Sequence, residues 1–473
     1  MSNWIKAELA ECQMHDARHT KRLARLLDRL SARPVSSIPT ACHGWAETVA
    51  AYRFLDNSDI GVQEILSGHT HATLERIRTQ EVVLLVQDTT FLNYGTTQPK
   101  AGMGTVKIKT REEYLLHPTV AFTPERVNLG VVGMKVWQRP EQPVAQQRKS
   151  KPIEEKESYR WLEGYQDACK VKQACPTTLV INLADREGDI QEWFVDAMRR
   201  EPAQRAECII RAKCNRCLAP GAAQRYLWAE MQQTPALGTL TIELARQPER
   251  PPRPVTLSIT AKLVTFQGAR RPGGKLPPVT ISAVYAQESS PPHGEEPIEW
   301  LLLTSLPVAA FPHACTVVQW YRCRWEIELF FRVLKQGCTI EQLRVQTEQR
   351  LLHALAMYVI VAWRIHTITM AGRAYPEGSC EVVFEPQEWS TLYTIQYHCH
   401  PPPIPPPLRE MVRSLAQLGG FLARQGDGEP GIKAIWQGYQ RLHEFIYAID
   451  TYRTVNAVAV SYTHLTLPTT PYV

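Results

Sequence analysis

The chain has 473 residues, room for about two to four domains, and its 44% hydrophobic content excludes a chain disordered throughout. A formal charge of +6 is a mild excess whose meaning depends on where it sits. No run of about 18 apolar residues is present and residues 1–30 lack a signal-peptide apolar centre, so neither a transmembrane helix nor a secretory signal is expected.

Residues 1–75 are expected to be helical. ARHTKRLARLLDRLSAR, residues 17–33, puts Arg18, Arg22, Arg25 and Arg29 on one helical stripe and Leu23, Leu26, Leu27 and Leu30 on the other. Six Lys/Arg against one acid between Arg18 and Arg33 make that face basic. It fits contact with DNA phosphates, and by itself it equally fits a solvated helix face. Pro34 and Pro39 break the pattern, and a second helix is expected from Trp45 to about Leu55.

EVVLLVQD, residues 81–88, predicts a central strand covered on both faces and ending in Asp88, with DTT marking a strand end or turn. Residues 114–123 and 126–137 predict two strands joined by a hairpin turn at Thr123–Pro124–Glu125. After a polar loop over 138–155 come a helix over Glu157–Lys170, a strand TLVINLAD over 178–185 ending in Asp185, a helix over 189–200 and a strand over Cys208–Lys213. This order suggests a mixed sheet with helices on its faces. If the two Asp-terminated strands are neighbours, two carboxylates lie side by side where such sheets bind ligands.

Residues 214–298 change character. TLTIELA, PVTLSITAKLVTF and PPVTISAVYAQE predict the short strands of an inserted β-rich subdomain. Seven Lys/Arg and one acid between Arg246 and Lys275 fit a surface along a polyanion, or a solvated edge. The one CxxC in the chain, Cys214–Cys217, has no second pair to complete a zinc site, so free thiols are expected. WLLLTS, residues 300–305, returns as a strand.

WYRCRWEIELFFRVLKQG, residues 320–337, is the stretch on which the rest depends. Read as one helix with Glu328 at zero, Tyr321 falls at about +20°, Arg324 at about −40°, Arg332 at about +40° and Lys335 at about −20°. Glu326 lies about 160° away and cannot serve the same site. A carboxylate among these groups suits a phosphate and a metal ion, and alone it equally suits a solvated face. Leu351–Thr369 predicts a core helix, residues 375–407 with their PPPIPPP run a stiff linker, and 408–425 and 432–450 a helical pair. The last thirteen residues, SYTHLTLPTTPYV, match neither neighbouring pattern and are set aside as a disordered or artefactual tail.

Two strand-end aspartates and one helix-borne glutamate are the ligands a two-metal phosphoryl-transfer site needs, with oxygen donors that suit Mg²⁺. The chain resembles bacterial insertion-sequence DDE transposases of the Tn5 transposase group, in the IS4 family. The signature Y-x2-R-x3-E-x6-K is met by Tyr321, Arg324, Glu328 and Lys335. QDTT supplies Asp88, DREGDI supplies Asp185, WLLLTS supplies Trp300, and AAYRF (50–54) and LGGF (418–421) fall in the same order.

The resemblance implies an α/β fold: an RNase H-like mixed-sheet catalytic domain over 76–372 with the β-rich insertion 214–298. A helical end-recognition domain (1–75) precedes it. A proline-rich linker (373–407), a helical dimerisation domain (408–460) and the tail (461–473) follow. It implies Asp88, Asp185 and Glu328 as catalytic, metal-binding residues for two Mg²⁺ ions, with Mn²⁺ able to substitute. Tyr321, Arg324, Arg332 and Lys335 are implied to hold phosphates, Trp300 to stack on a flipped base, Arg211 to contact DNA, and Arg18, Arg22 and Arg25 to contact the element's end. The implied partners are double-stranded DNA and a second copy of the chain in a synaptic homodimer, with no membrane, in the bacterial cytoplasm and at the nucleoid when bound to DNA. The implied activity is cut-and-paste transposition. A structure-specific nuclease of the same fold and an inactive DNA-binding descendant are the competing readings.

Overall fold

The computed structural model describes residues 2–94, 112–139, 151–244 and 253–463. These fall into two units: His69–Phe331 is one, and Met1–Gly68 with Arg332–Val473 is the other.

The His69–Phe331 unit is built on one mixed sheet. Its strands in chain order are β1 (Val82–Gln87), β2 (Thr90–Tyr94), β3 (Glu112–Phe122), β4 (Asn128–Gln138), β5 (Leu179–Ala184), β6 (Glu207–Arg211), β7 (Gly238–Leu244), β8 (Arg253–Phe266), β9 (Val279–Glu288) and β10 (Glu299–Thr304). They lie in the order β2-β3-β1-β5-β6-β10-β9-β8-β7, with β4 paired to β3. β1, β5 and β6 run parallel, and the other pairings are antiparallel. Val83, Leu84, Leu85 and Val86 are all fully buried, as an apolar run in a doubly covered strand requires. Helices Arg160–Ala174 and Gln191–Arg199 pack Trp161, Tyr165, Trp193 and Phe194 into the core with Val83, Leu85 and Ile210. Burial of side chains this size contributes about 1.5–3 kcal/mol each.

DTT after β1 marks a turn, one of its two expected roles: the chain turns at Asp88–Thr89 and starts a strand not expected there, β2 at Thr90, which pairs with β3. One expectation changes here. The β-rich insertion is not a separate subdomain. β7, β8 and β9 continue the central sheet through β10, and β8 is 14 residues long. The alternating pattern of those strands reads locally, but which sheet they join depends on pairing with β10, which no spacing in the segment announces. Part of the basic stretch between Arg246 and Lys275 lies outside the described residues.

In the other unit, Asp16 caps the helix Ala17–Ala32 by accepting from the Arg18 N–H, and Leu23, Leu26, Leu27 and Leu30 are buried along one face. The helix Glu348–Ala374 is apolar and long enough to cross a bilayer, but 89% of its most apolar window is buried in the protein, so it is a core helix. The expected linker over 375–407 is a correction. It contains the helix Pro386–Tyr397, with Glu385 and Glu388 forming a reciprocal cap, and Cys380, Phe384, Trp389 and Leu392 pack into the core with Met411, Leu415 and Tyr439. The prolines misled because they flank this helix rather than interrupt it: Pro386 sits in its first turn, where no N–H is needed. The helices Leu408–Leu418 and Ile432–Thr463 follow. Most of the set-aside tail lies outside the described residues.

Candidate active site

β1 and β5 are hydrogen-bonded parallel neighbours with Val86 opposite Leu183. Two residues further along each strand stand Asp88 and Asp185, so the register brings both acids to the same carboxyl end of the sheet. Asp88 accepts the Thr89 N–H at 2.7 Å. Asp185 caps a short 3₁₀ turn, Arg186–Gly188, by accepting the Glu187 N–H at 2.8 Å.

Glu328 comes from the signature segment, which is not one helix. A helix ends at Arg322, Cys323–Trp325 tightens into a 3₁₀ turn, a second helix runs Glu326–Arg332, and Val333–Gly337 is π-helical, closed by the Cys338 N–H on the Val333 carbonyl at 2.8 Å. A uniform 100° step therefore fails across it, and a helical wheel cannot foresee these turns. The separation of the two acids survives: Glu326 is 2% exposed and pairs with Arg126 at 3.5 Å, while Glu328 faces Arg324.

Arg324 ties the acids together. Its Nη1 donates to Asp88 Oδ2 at 3.0 Å and its Nη2 to Glu328 Oε1 at 2.8 Å. The Asp88 carboxyl is pushed up to about 6 by burial first and the Asp185 charge next, with Glu328 adding to it, against Arg324 and the Thr89 N–H. Three acids from three distant stretches thus share one electrostatic neighbourhood. Among the described residues no group of three or more Asp, Glu, His or Cys is closed around a metal position. The donor set itself fits a hard divalent cation: carboxylate oxygens, one with its charged form disfavoured by its neighbours.

Around the acids, Tyr321 is buried, and burial raises its phenol above the usual range against the pull of Arg324 and Arg211. Its ring lies edge-on to Trp300, with centroids 6.1 Å apart. Arg211, at the end of β6, donates to the Glu299 carbonyl at 2.9 Å, and burial, with Arg186 and Arg324 near, pulls its guanidinium below its usual range. Seven of the residues singled out in the sequence thus belong to one unit and line one region. The others belong to the second unit. Arg332 donates to Gln336 at 3.4 Å, and Lys335 lies on the π-helical turn. Arg18 is exposed and paired with Asp16 at 2.7 Å, and Arg25 is exposed.

Sequence reasoning missed the layer beneath the acids. Arg160 donates to Thr89 Oγ1 at 2.9 Å and to Glu187 Oε2 at 2.5 Å, so one guanidinium joins the turn after β1 to the turn after β5. Thr89 also meets His117 Nδ1 at 2.9 Å, and His117 Nε2 meets Gln87 Oε1 at 3.0 Å. Burial pushes His117 well below its usual range, so it stays neutral and can bridge them. No spacing marks these residues, since each comes from a different element. In the second motif, Asp189 accepts the Lys213 and Cys214 N–H groups at 2.7 Å each and pairs with Arg216, which fixes the chain after Arg211.

Three family models match the chain. The Transposase DNA-binding model matches residues 1–60, the Transposase DDE domain model residues 195–364, and the Transposase Tn5 dimerisation domain model residues 360–458. The first covers Arg18, Arg22 and Arg25. The second covers Arg211, Trp300, Tyr321, Arg324, Glu328, Arg332 and Lys335 and begins after Asp88 and Asp185. Among solved structures, a piggyBac transposase synaptic complex with hairpin DNA aligns over 100% of this chain and 83% of that one, at 8% identity and a TM-score of 0.37. That likeness is too low to bear on function.

Proposed function

The chain belongs to the Tn5-like DNA transposases of the IS4 family, and we propose that it moves its element by cut-and-paste, with Asp88, Asp185 and Glu328 as the catalytic acids. The observation that carries this reading is the register of β1 against β5, which aligns Asp88 with Asp185, together with the Arg324 link from Asp88 to Glu328. DDE transposase domains use divalent metal ions. Here the three acids would hold two Mg²⁺, or Mn²⁺ in their place, which when bound activate the attacking oxygen and offset charge on the leaving one.

Four in-line displacements at phosphorus follow one another. Water cuts one strand at the element's end and frees a 3′-hydroxyl. That hydroxyl attacks the opposite strand to give a hairpin, a second water opens it, and the same 3′-hydroxyl attacks target DNA. One set of acids can serve all four, because each step needs the same alignment of nucleophile, phosphorus and leaving oxygen. Arg324 holds the forked geometry that a phosphate accepts, and it exchanges carboxylate oxygens for phosphate oxygens when DNA arrives. Tyr321, kept neutral, donates a hydrogen bond to the same backbone, and Arg332 and Lys335 supply further positive charge. Trp300 receives the base displaced as the hairpin bends. Arg211 steadies the strand beside it. Arg18, Arg22 and Arg25 bind the element's end through its phosphates, and the C-terminal helices pair two copies so that two ends are cut together.

The test is a strand-transfer assay with purified protein, end duplex, target plasmid and Mg²⁺. Nicked, hairpin and joined products are expected in that order. Cleavage without joined product makes the chain a nuclease, and DNA binding without any cleavage makes it an inactive descendant.

A further inference from the structure

Beyond the acids, the same unit opens a cleft of about 450 Å³ lined by four arginines and two glutamates, with Trp300 and Trp325 among its walls. Two of those arginines, Arg211 and Arg324, already have roles. Arg126 and Arg322 do not. Arg126 stands in the β3–β4 turn, held by its own N–H on the Thr123 carbonyl at 2.8 Å. Its φ is 72°, the left-handed region, where a residue with a side chain is strained. The turn is pinned to the signature segment by the Cys323 thiol on the Thr123 carbonyl at 3.9 Å and by the loose Arg126–Glu326 pair at 3.5 Å. Arg322 ends the helix that carries Tyr321 and donates to the Glu243 carbonyl at 2.7 Å.

Arg322 is pulled below its usual range by burial first and by Arg126 next, with Glu243 opposing, so the two guanidinium groups feel each other's charge. Like charges at one wall of a cleft are an arrangement that an arriving anion relieves. Of the glutamates, Glu299 accepts the Tyr285 hydroxyl at 2.5 Å, and Glu243 lies on β7, whose carbonyl holds Arg322. The lining itself holds four arginines against two glutamates, with Glu326 facing Arg126, and Asp88 and Glu328 facing Arg324, from outside it.

We propose that Arg126 and Arg322 form a phosphate-binding subsite that grips the sugar–phosphate backbone of the strand whose displaced base lies against Trp300. The assignment rests on the transposase reading given above. The strand enters between the β3–β4 turn and the end of the Tyr321 helix, and each guanidinium takes one phosphate. The bond from Arg322 to the Glu243 carbonyl uses one amino group and leaves the rest of its fork for the phosphate.

The experiment uses the full chain and a short blunt-ended duplex selected from a randomised library by binding to the wild-type protein. Single methylphosphonates are placed in turn at each terminal phosphate of either strand. Two variants are compared with wild type: Arg322→Gln, and Arg126→Gln combined with Glu326→Gln so that no buried carboxylate is left without its partner. Each is expected to bind the duplex about tenfold more weakly. Each should lower the slope of log affinity against log salt by about 1. Each should also lose sensitivity to one neutral linkage that weakens the wild type. Arg322→Lys restores the salt slope but not the full affinity. Unchanged affinity, or a loss that leaves every methylphosphonate as costly as in the wild type, overturns the subsite while the transposase reading stands. A wild-type protein that selects no duplex and nicks none overturns that reading, and the subsite with it.

Discussion

Arg324 is bonded to Glu328 at 2.8 Å through one arm of its guanidinium while the other arm holds Asp88 at 3.0 Å. One cation thus offsets the charge of two acids that the reading proposed above assigns to divalent ions. It opposes burial and the Asp185 charge, which together still push the Asp88 carboxyl up to about 6. On that proposed reading, metal binding and the Arg324 bridge would compete for the same oxygens. Arg324→Ala is expected to unfold at a temperature lower by about 2–4 °C without divalent ions. It should gain more from added Mg²⁺ than the wild type does, and cut DNA poorly in either case. Thermal scans with and without Mg²⁺ read this directly. Equal Mg²⁺ responses in the two proteins would show that the guanidinium and the ion do not contend for the same oxygens.

The two glutamates of the signature segment should behave oppositely. Glu328→Gln keeps size and hydrogen bonding but removes the charge, and is expected to slow end cleavage at least about 100-fold with end affinity nearly unchanged. Glu326→Gln acts on a buried carboxylate paired with Arg126, away from the acids, and should cost about 1–3 kcal/mol of stability while cleavage persists. A cleavage assay beside urea denaturation separates the two. Comparable loss of cleavage in both variants would mean that their faces are not distinct.

The acids themselves were legible in the sequence because each ends or sits within a pattern of its own: an apolar run closing on Asp88, another closing on Asp185, and a spaced signature around Glu328. Their meeting depends on a parallel pairing of β1 with β5, which a mixed sheet allows and the run lengths suit. What escaped notice is what no local period encodes. The β7–β9 strands alternate like those of any exposed sheet, and only their partner β10 makes them part of the central one. Residues 375–407 read as a linker because of their PPPIPPP run, and Pro386, a first-turn proline, looks like a breaking one until the cap is seen. Arg160, whose bonds reach Thr89 and Glu187, is an ordinary charge in its own helix.

Gly164 offers a test of that hidden layer. It lies in the helix Arg160–Ala174, and a methyl group on it would overlap the Gln87 carboxamide. Gln87 directly precedes Asp88 and is bonded to His117, Asn182 and the Trp161 carbonyl. Gly164→Ala should therefore displace Gln87, cost about 1–3 kcal/mol, and reduce cleavage more than end binding. Denaturation and a cleavage time course would show it. A variant as stable and active as the wild type would mean that Gln87 can move without disturbing Asp88.

The helical unit carries its own acid sensitivity. His366 is fully buried, and burial, with Arg373 nearby, pushes it down from 6.5 to about 3. The unfolded chain therefore binds a proton that the folded chain refuses, and stability falls as pH drops from 6.5 toward 3, by about 1.4 kcal/mol per unit at most. Glu388 adds a second limb lower down. Burial alone would raise its carboxyl, but His443, Arg364 and the Glu385 N–H hold it at about 2 against an ordinary 4.5. Its contribution is complete above pH 4.5 and is lost as pH falls through about 2. Melting temperature against pH is thus expected to decline in two stages for the wild type. His366→Phe should shrink the upper stage, which the buried neutral His117 shares, without touching the lower one, and Glu388→Gln should flatten the lower one while lowering stability at neutral pH by roughly 1–3 kcal/mol. If both variants kept the wild-type profile, the acid loss would have to come from elsewhere in the chain.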